Sequence, residues 1–250
     1  MATMIPFSTA FTQAVQFGLL TAVHLPDDPS PVPEKVLARL PKAELAYAQT
    51  LRGYRQVSFV GGRLALHETL GQLRMPNDPV LNDAHGCPVM PAGMTGSISH
   101  KRTLAVAIVA RSRHGQLGLD LEDLNPARMH VAEKVLRPEE LKELLELPPE
   151  RQWTSLLLRF SLKEAVYKVL NPTLRRYIDF QEARIHLDLD LTASVDLYLK
   201  DPKEPSFSLD GRYQWMDGRV LTMMRLRPDA HSGLPLNGNK GRLKGSTEAL

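Results

Sequence analysis

Apolar residues recur along this chain at two spacings, every second residue and every third or fourth, and the switches between them outline its elements. Val15 to His24 predicts a first strand. Pro26 to Pro33 holds four prolines among acidic residues and predicts an extended linker. From Pro41 to Leu73 the apolar positions Leu45, Val57, Val60, Leu64 and Leu70 predict a largely helical stretch, with Arg52, Arg55 and Arg63 near one side. Met75 to Gly96 is rich in Pro, Gly, Asn and Asp, hence loop. Ser97 to His100 and Leu104 to Ala110 then predict two strands separated by Lys101, Arg102 and Thr103. The second of these is almost wholly apolar, as a strand in the core should be.

His114 and Gly115 punctuate the chain before a strand centred on Asp120, which Asn125-Pro126 ends. Pro138 suits the first turn of a helix, with Glu139 and Glu140 where the helix dipole favours acids. Pro148-Pro149 breaks that helix, and Glu150 to Leu170 predicts the next, closed by Asn171-Pro172. Its packing face would comprise Trp153, Leu157, Phe160, Ala165 and Leu170. Ala183 to Leu191 alternates, which predicts Ile185, Leu187, Leu189 and Leu191 inward and His186, Asp188 and Asp190 on a solvated face. Val195 to Lys200 and Phe207 to Leu209 continue the sheet, and Asp217-Gly218 between Tyr213–Met216 and Arg219–Leu226 is a type I′ hairpin signal. From Pro228 to Leu250 apolar anchors are few, and a disordered tail is expected.

Composition narrows the class. The chain has 250 residues, 43% of them apolar, enough to bury a sizeable core in one large domain or two small ones. The single cysteine, Cys87, excludes an intramolecular disulfide, speaks against a structural zinc site and fits a reducing, cytoplasmic setting. Met1 to Leu25 lacks a basic leader region, and its apolar stretch is interrupted by Gln16, Gly18, Thr21 and His24, so neither a signal peptide nor a membrane span is expected. A net charge of +3 is compatible with anionic ligands or an acidic partner. Nucleic acid is not expected as a partner, because aromatics are only 6% and no dense basic patch accompanies them.

The candidate chemistry sits in two segments. In Gly118-Leu119-Asp120-Leu121-Glu122 a strand would project both acids from one face and Leu117, Leu119 and Leu121 from the other. In Phe160-Ser161-Leu162-Lys163-Glu164-Ala165-Val166-Tyr167-Lys168 a helix would stack Glu164 and Lys168 one turn apart, with Lys163 about 100° away. Magnesium takes hard oxygen ligands, a few carboxylates together with waters and phosphate oxygens, so Asp120, Glu122 and Glu164 beside two lysines could form a Mg²⁺ and phosphate site. Each piece alone also fits an ordinary solvated strand face or an i,i+4 surface pair.

Taken in order, GLDLE and then FSLKEAVYK some forty residues later resemble the paired signature of 4′-phosphopantetheinyl transferases, especially the surfactin-synthetase and enterobactin-synthetase branch. That pattern is roughly (V/I)G(V/I)D-x-E followed by (F/W)(S/C/T)xKE(A/S)xxK, with Leu119 here where Val or Ile is commoner. Gly96-Ser97-Ile98-Ser99-His100 resembles the family's Ser-His segment, and Gly61-Gly62-Arg63-Leu64-Ala65 its Gly-Arg helix; the likeness covers about residues 40 to 225. One departure is Val89-Met90-Pro91-Ala92-Gly93, where enterobactin-type members often carry Trp-Pro.

The resemblance implies an α+β fold of two similar, pseudo-twofold-related halves with antiparallel sheets, residues 1–115 and 116–227, with coenzyme A in the cleft between them and the tail 228–250 beyond. It implies transfer of the 4′-phosphopantetheine arm of coenzyme A to a serine of an acyl, peptidyl or aryl carrier protein, with release of 3′,5′-ADP. It also implies roles for residues. Asp120, Glu122 and Glu164 would hold Mg²⁺; Glu164, Lys168 and Asp120 would be catalytic, Glu164 as candidate base; and Arg55, Arg63, Ser99, His100, Lys163 and Lys168 would bind coenzyme A. A monomer that binds no membrane is expected. Two rival functions remain open at this stage: another Mg²⁺-dependent enzyme cleaving phosphodiesters, and a noncatalytic carrier- or nucleotide-binding module.

Overall fold

The computed structural model describes residues 5–228, so the expected tail lies, beyond Pro228, outside the described residues. The chain opens with a hairpin, β1 (Thr9–Val15) and β2 (Gly18–His24). Three helices follow, α1 (Glu34–Leu37), α2 (Lys42–Thr50) and α3 (Gly53–Gln72), and then β3 (Met94–Lys101) and β4 (Leu104–Arg111). The second half runs β5 (Gln116–Asp123), α4 (Ala132–Val135), α5 (Pro138–Leu145), α6 (Pro149–Leu174), β6 (Ala183–Leu187), β7 (Thr192–Leu197), β8 (Leu209–Met216) and β9 (Arg219–Leu226).

Two fully antiparallel sheets result, ordered β1-β2-β4-β3 and β5-β9-β8-β7-β6. Each half has the same plan, in which the strand before the long helix pairs with the last strand, and that strand pairs with the one preceding it: β2-β4-β3 and β5-β9-β8. Alternation in β4 shows how the layers stack. Ala105, Ala107 and Val109 face α3 through Val57, Val60 and Leu64. Leu104, Val106 and Ile108 face the other sheet through Leu117, Leu119, Leu121, Leu221 and Met223. On the far side of that sheet, Val220 and Met224 meet Leu162, Ala165 and Val169 of α6. The order is therefore helix, sheet, sheet, helix, and β4 is apolar throughout because both of its faces are covered. No helix among the described residues is long and apolar enough to cross a membrane.

The sheets also touch edge to edge, where β3 and β5 run side by side without sharing a backbone ladder. Side chains bridge them. Ser97 Oγ accepts the Leu119 amide at 3.0 Å, Ser99 Oγ accepts the Leu121 amide at 3.2 Å, and Thr95 Oγ1 donates to Gln116 Oε1 at 3.0 Å. Serine hydroxyls thus satisfy buried strand-edge amides that would otherwise need carbonyl partners.

Several boundaries differ from the sequence expectations. The stretch from Pro41 to Leu73 is two helices, parted where Leu51 and Arg52 are extended and Gly53 takes φ +57°. Arg52 folds back onto the Gln49 and Leu51 carbonyls and so leaves the side shared by Arg55 and Arg63. Helix α6 passes through Pro172 and stops at Arg175, in left-handed conformation. Strand β6 ends at Leu187; Leu189 is fully exposed and Leu191, 48% exposed, sits at φ +62° in the turn, so neither points inward. The Asp217-Gly218 turn has positive φ at both residues, 39° and 73°, as a type I′ hairpin requires.

Ser97→Ala should strand the Leu119 amide and lower folding stability by about 1–3 kcal/mol; denaturant unfolding with an unchanged midpoint would show that the two strand edges do not need this bridge.

Candidate active site

Gly118 determines how the site is built. A Cβ there would lie 2.0 Å from the Ala165 carbonyl oxygen, so α6 rests directly on β5 at this point. In the first half Gly61 makes room for a side chain instead, since a Cβ there would stand 2.1 Å from Leu25 Cδ2. With the helix seated so closely, Ser161 on one side of Ala165 and Lys168 on the other both reach the carboxylate of Asp120.

That carboxylate is buried and held by three elements. Its Oδ1 accepts from Ser99 Oγ at 3.0 Å and Lys168 Nζ at 2.8 Å, and its Oδ2 accepts from Ser161 Oγ at 2.9 Å. Lys168 also donates to the Leu119 carbonyl at 2.9 Å and to Ser99 Oγ at 3.1 Å, which uses all three of its protons. Glu122, two residues along the same face, pairs with Lys101 Nζ at 2.7 Å. Burial, and after it the charge of Asp120, lifts Glu122 to about 7 despite that lysine. Glu164, half-buried on α6, is raised in the same way, by burial first and by Asp120 second.

The three acids are therefore electrostatic neighbours, as the strand and helix periods imply, but among the described residues no three His, Cys, Asp or Glu side chains are grouped tightly enough to hold an ion as they stand. Lysine ammonium groups neutralise two of them. The donor set nonetheless suits a divalent cation: hard carboxylate oxygens, two of them penalised as anions by burial and by a neighbouring negative charge that a cation would relieve.

Alternation along β3 separates its two faces. Thr95, Ser97, Ser99 and Lys101 bond across to β5, while Gly96, Ile98 and His100, together with Thr95 and Ser97, line a cleft of about 730 Å³ between α3 and α6. Exposed Arg55 and buried Arg63 reach this cleft from α3, and Tyr167 and Lys168 from α6. The Arg63 guanidinium lies 4.9 Å from the Phe59 ring centroid and donates to Asn82 Oδ1 at 2.6 Å, so it arrives already oriented. The loop before β3 closes the cleft and is tied to the second half through Asp83 with Arg175 and through Cys87 Sγ with Asn171 at 3.1 Å. His100, exposed at the surface of the cleft, is lowered from the usual imidazole value by desolvation, then by Lys168 and Lys101, which favours its neutral form. A smaller hollow of about 140 Å³ is lined by Glu122 together with Trp153, Leu156, Phe160 and Phe180.

Two expected coenzyme A contacts are corrected. Lys163 Nζ is buried and donates to Glu140 at 2.5 Å, to the Val135 carbonyl at 2.8 Å and to the Phe180 carbonyl at 3.0 Å. It fastens α6 to α5, out of reach of any phosphate in the cleft. Ser99 gives its only proton to Asp120 and accepts from Leu121 and Lys168, so it braces the acid and has no proton left for a ligand. Residues that the motifs did not single out are Lys101, Thr222 and Asn82, and Ser161, which the motif contains, was given no role. Lys101 was legible, since period two continues from Ser97 through Ser99 to it.

Comparison with known proteins gives the same answer over both halves. The profile of the 4′-phosphopantetheinyl transferase N-terminal domain matches residues 43–110, and that of the 4′-phosphopantetheinyl transferase superfamily matches residues 116–222. The chain is 30% identical over 228 residues to the 4′-phosphopantetheinyl transferase Svp of Streptomyces mobaraensis, covering 89% of each protein. It is 29% identical to Npt of Nocardia iowensis, covering 67% of this chain and 81% of Npt, and 28% identical to PptT of Mycobacterium tuberculosis, covering 73% and 77%. With matches across both sheets and the acid-bearing elements between them, the chain belongs to the 4′-phosphopantetheinyl transferase superfamily.

Proposed function

We propose that this chain moves the 4′-phosphopantetheine arm of coenzyme A onto a serine hydroxyl of an acyl, peptidyl or aryl carrier-protein domain. The serine oxygen bonds to the β-phosphorus, the bond from that phosphorus to the bridging pyrophosphate oxygen breaks, and 3′,5′-ADP leaves. The observation that carries this reading is the placement of three coupled acids and Lys168 beside a large cleft that also receives Arg55, Arg63 and His100. Both halves of one polypeptide supply the site, so the chain acts as a monomer, in the reducing cytoplasm that its single cysteine fits.

In this reading Arg55 and Arg63 hold the 3′-phosphate, since guanidinium forks match phosphate oxygens. His100, neutral, donates one N–H to the pyrophosphate. Lys168, whose protons are taken by Asp120, Ser99 and Leu119, acts on the leaving phosphate by its charge. Glu164, raised by burial and then by Asp120, takes the serine proton as the new bond forms. Asp120, Glu122 and Glu164 would hold Mg²⁺, which supplies Lewis-acid neutralisation of pyrophosphate charge. The acceptor approaches from the apolar hollow beside Glu122.

Incubation of an apo carrier protein with coenzyme A, Mg²⁺ and the full chain should add one phosphopantetheinyl mass to the carrier. Lys168→Ala should slow that transfer on the order of 100-fold. Cleavage of coenzyme A without any carrier adduct would favour a phosphodiesterase. Arg63→Ala should raise KM for coenzyme A far more than it lowers kcat, and the parent enzyme should prefer coenzyme A to its 3′-dephospho form; equal use of both would remove the 3′-phosphate clamp. Protons and Mg²⁺ compete for the same carboxylates. Because Glu122 keeps its proton up to about pH 7, activity at low Mg²⁺ should fall as pH drops through that value, and more Mg²⁺ should move the acid limb to lower pH. A limb that stays fixed at every Mg²⁺ concentration would count against Glu122 as a ligand.

A further inference from the structure

Two hydroxyls in the core stand behind the site without touching the cleft. Ser161 and Thr222 are both 0% exposed, a costly place for a polar group unless it is bonded. Thr222 lies directly across the β5–β9 ladder from Asp120. Its Oγ1 is 2.9 Å from Ser161 Oγ and 3.0 Å from the Ser161 carbonyl, and Ser161 Oγ is 2.9 Å from Asp120 Oδ2. Each hydroxyl has one proton, and an ionised carboxylate can only accept. The direction follows: Ser161 donates to Asp120, and Thr222 shares its single proton between the hydroxyl and carbonyl oxygens of Ser161.

The two oxygens of Asp120 are then unequal. Oδ1 carries two donors, Ser99 and Lys168, whereas Oδ2 carries Ser161 alone. A carboxylate oxygen offers about two lone-pair sites, so the open acceptor position is on Oδ2. We propose that Ser161, backed by Thr222, is a positioning residue that fixes the Asp120 carboxylate with Oδ2 as the atom presented to a divalent cation. This rests on Asp120 being a ligand, as in the functional reading above. Hydrogen-bond partners of metal-binding carboxylates act in this way, and their loss typically costs about 10–100-fold in affinity.

The test is Mn²⁺ binding to the full-length protein, followed by the loss of the free-ion electron paramagnetic resonance signal, with melting temperature recorded for every variant. Ser161→Ala should weaken Mn²⁺ binding by about tenfold or more. Thr222→Val, nearly the same shape, should weaken it less, and Thr222→Ser should restore parent affinity. If Ser161→Ala fails to fold, the two Thr222 variants decide. Asp120→Asn is the reference. Should it abolish binding while Ser161→Ala and Thr222→Val keep parent affinity, whatever their melting temperatures, the positioning role is wrong and the metal assignment stands. Should Asp120→Asn bind Mn²⁺ as the parent does, Asp120 is not a ligand and both fall.

Discussion

The site depends on an edge-to-edge junction between two sheets that share no backbone ladder. Where β3 meets β5, serine hydroxyls take the place of carbonyl acceptors for the Leu119 and Leu121 amides. Those amides flank Asp120, so the junction that closes the core also fixes the backbone from which the central acid projects. A side-chain hydroxyl holds the strands at a spacing and angle that a regular ladder would not, which lets the sheets pack face to face through Val106, Ile108, Leu119 and Leu221.

Charge is arranged around the same junction. Gathering Asp120, Glu122 and Glu164 in a partly desolvated place is unfavourable, as the upward displacement of both glutamates records. The compensating cations come from opposite halves, Lys101 from β3 and Lys168 from α6. Removing either lysine would leave an acid buried without its partner; the Lys101–Glu122 pair also ties one sheet to the other, while the Lys168–Asp120 pair ties α6 to β5.

What could be read from the chain alone follows from the range of each interaction. Period two placed Asp120 and Glu122 on one face, and almost unbroken apolar character placed β4 in the core, because both signals are local. Strand β1 escaped notice because it is a half-exposed edge whose Thr-Ala-Phe-Thr-Gln-Ala-Val run lacks a clean alternation. Leu189 and Leu191 misled because alternation continues past the end of β6, while Thr192 hydroxyl bonds to Asp188 and Asp190 close a turn there. The helical period correctly set Lys163 about 100° from Glu164. What occupies that direction is Glu140 on another helix, a fact no local pattern contains. Ser99 was found by motif, but its bonding depends on Asp120 and Lys168 arriving from far along the chain.

Strand β3 turns its hydroxyls to β5 and Ile98 and His100 to the cleft, and this dual use limits how the protein can change. Insertion or deletion of a single residue between Met94 and Lys101 would exchange the two faces, sending Ile98 and His100 toward β5 and the serines toward the ligand. Such a slip would undo assembly and binding together. Substitutions confined to Ile98 and His100 leave the hydroxyl bridges intact, whereas a Cβ at Gly96 would stand 2.9 Å from the Ile108 carbonyl oxygen, so divergence in this lineage has an open route through side-chain replacement at those two cleft positions and a closed one through length variation.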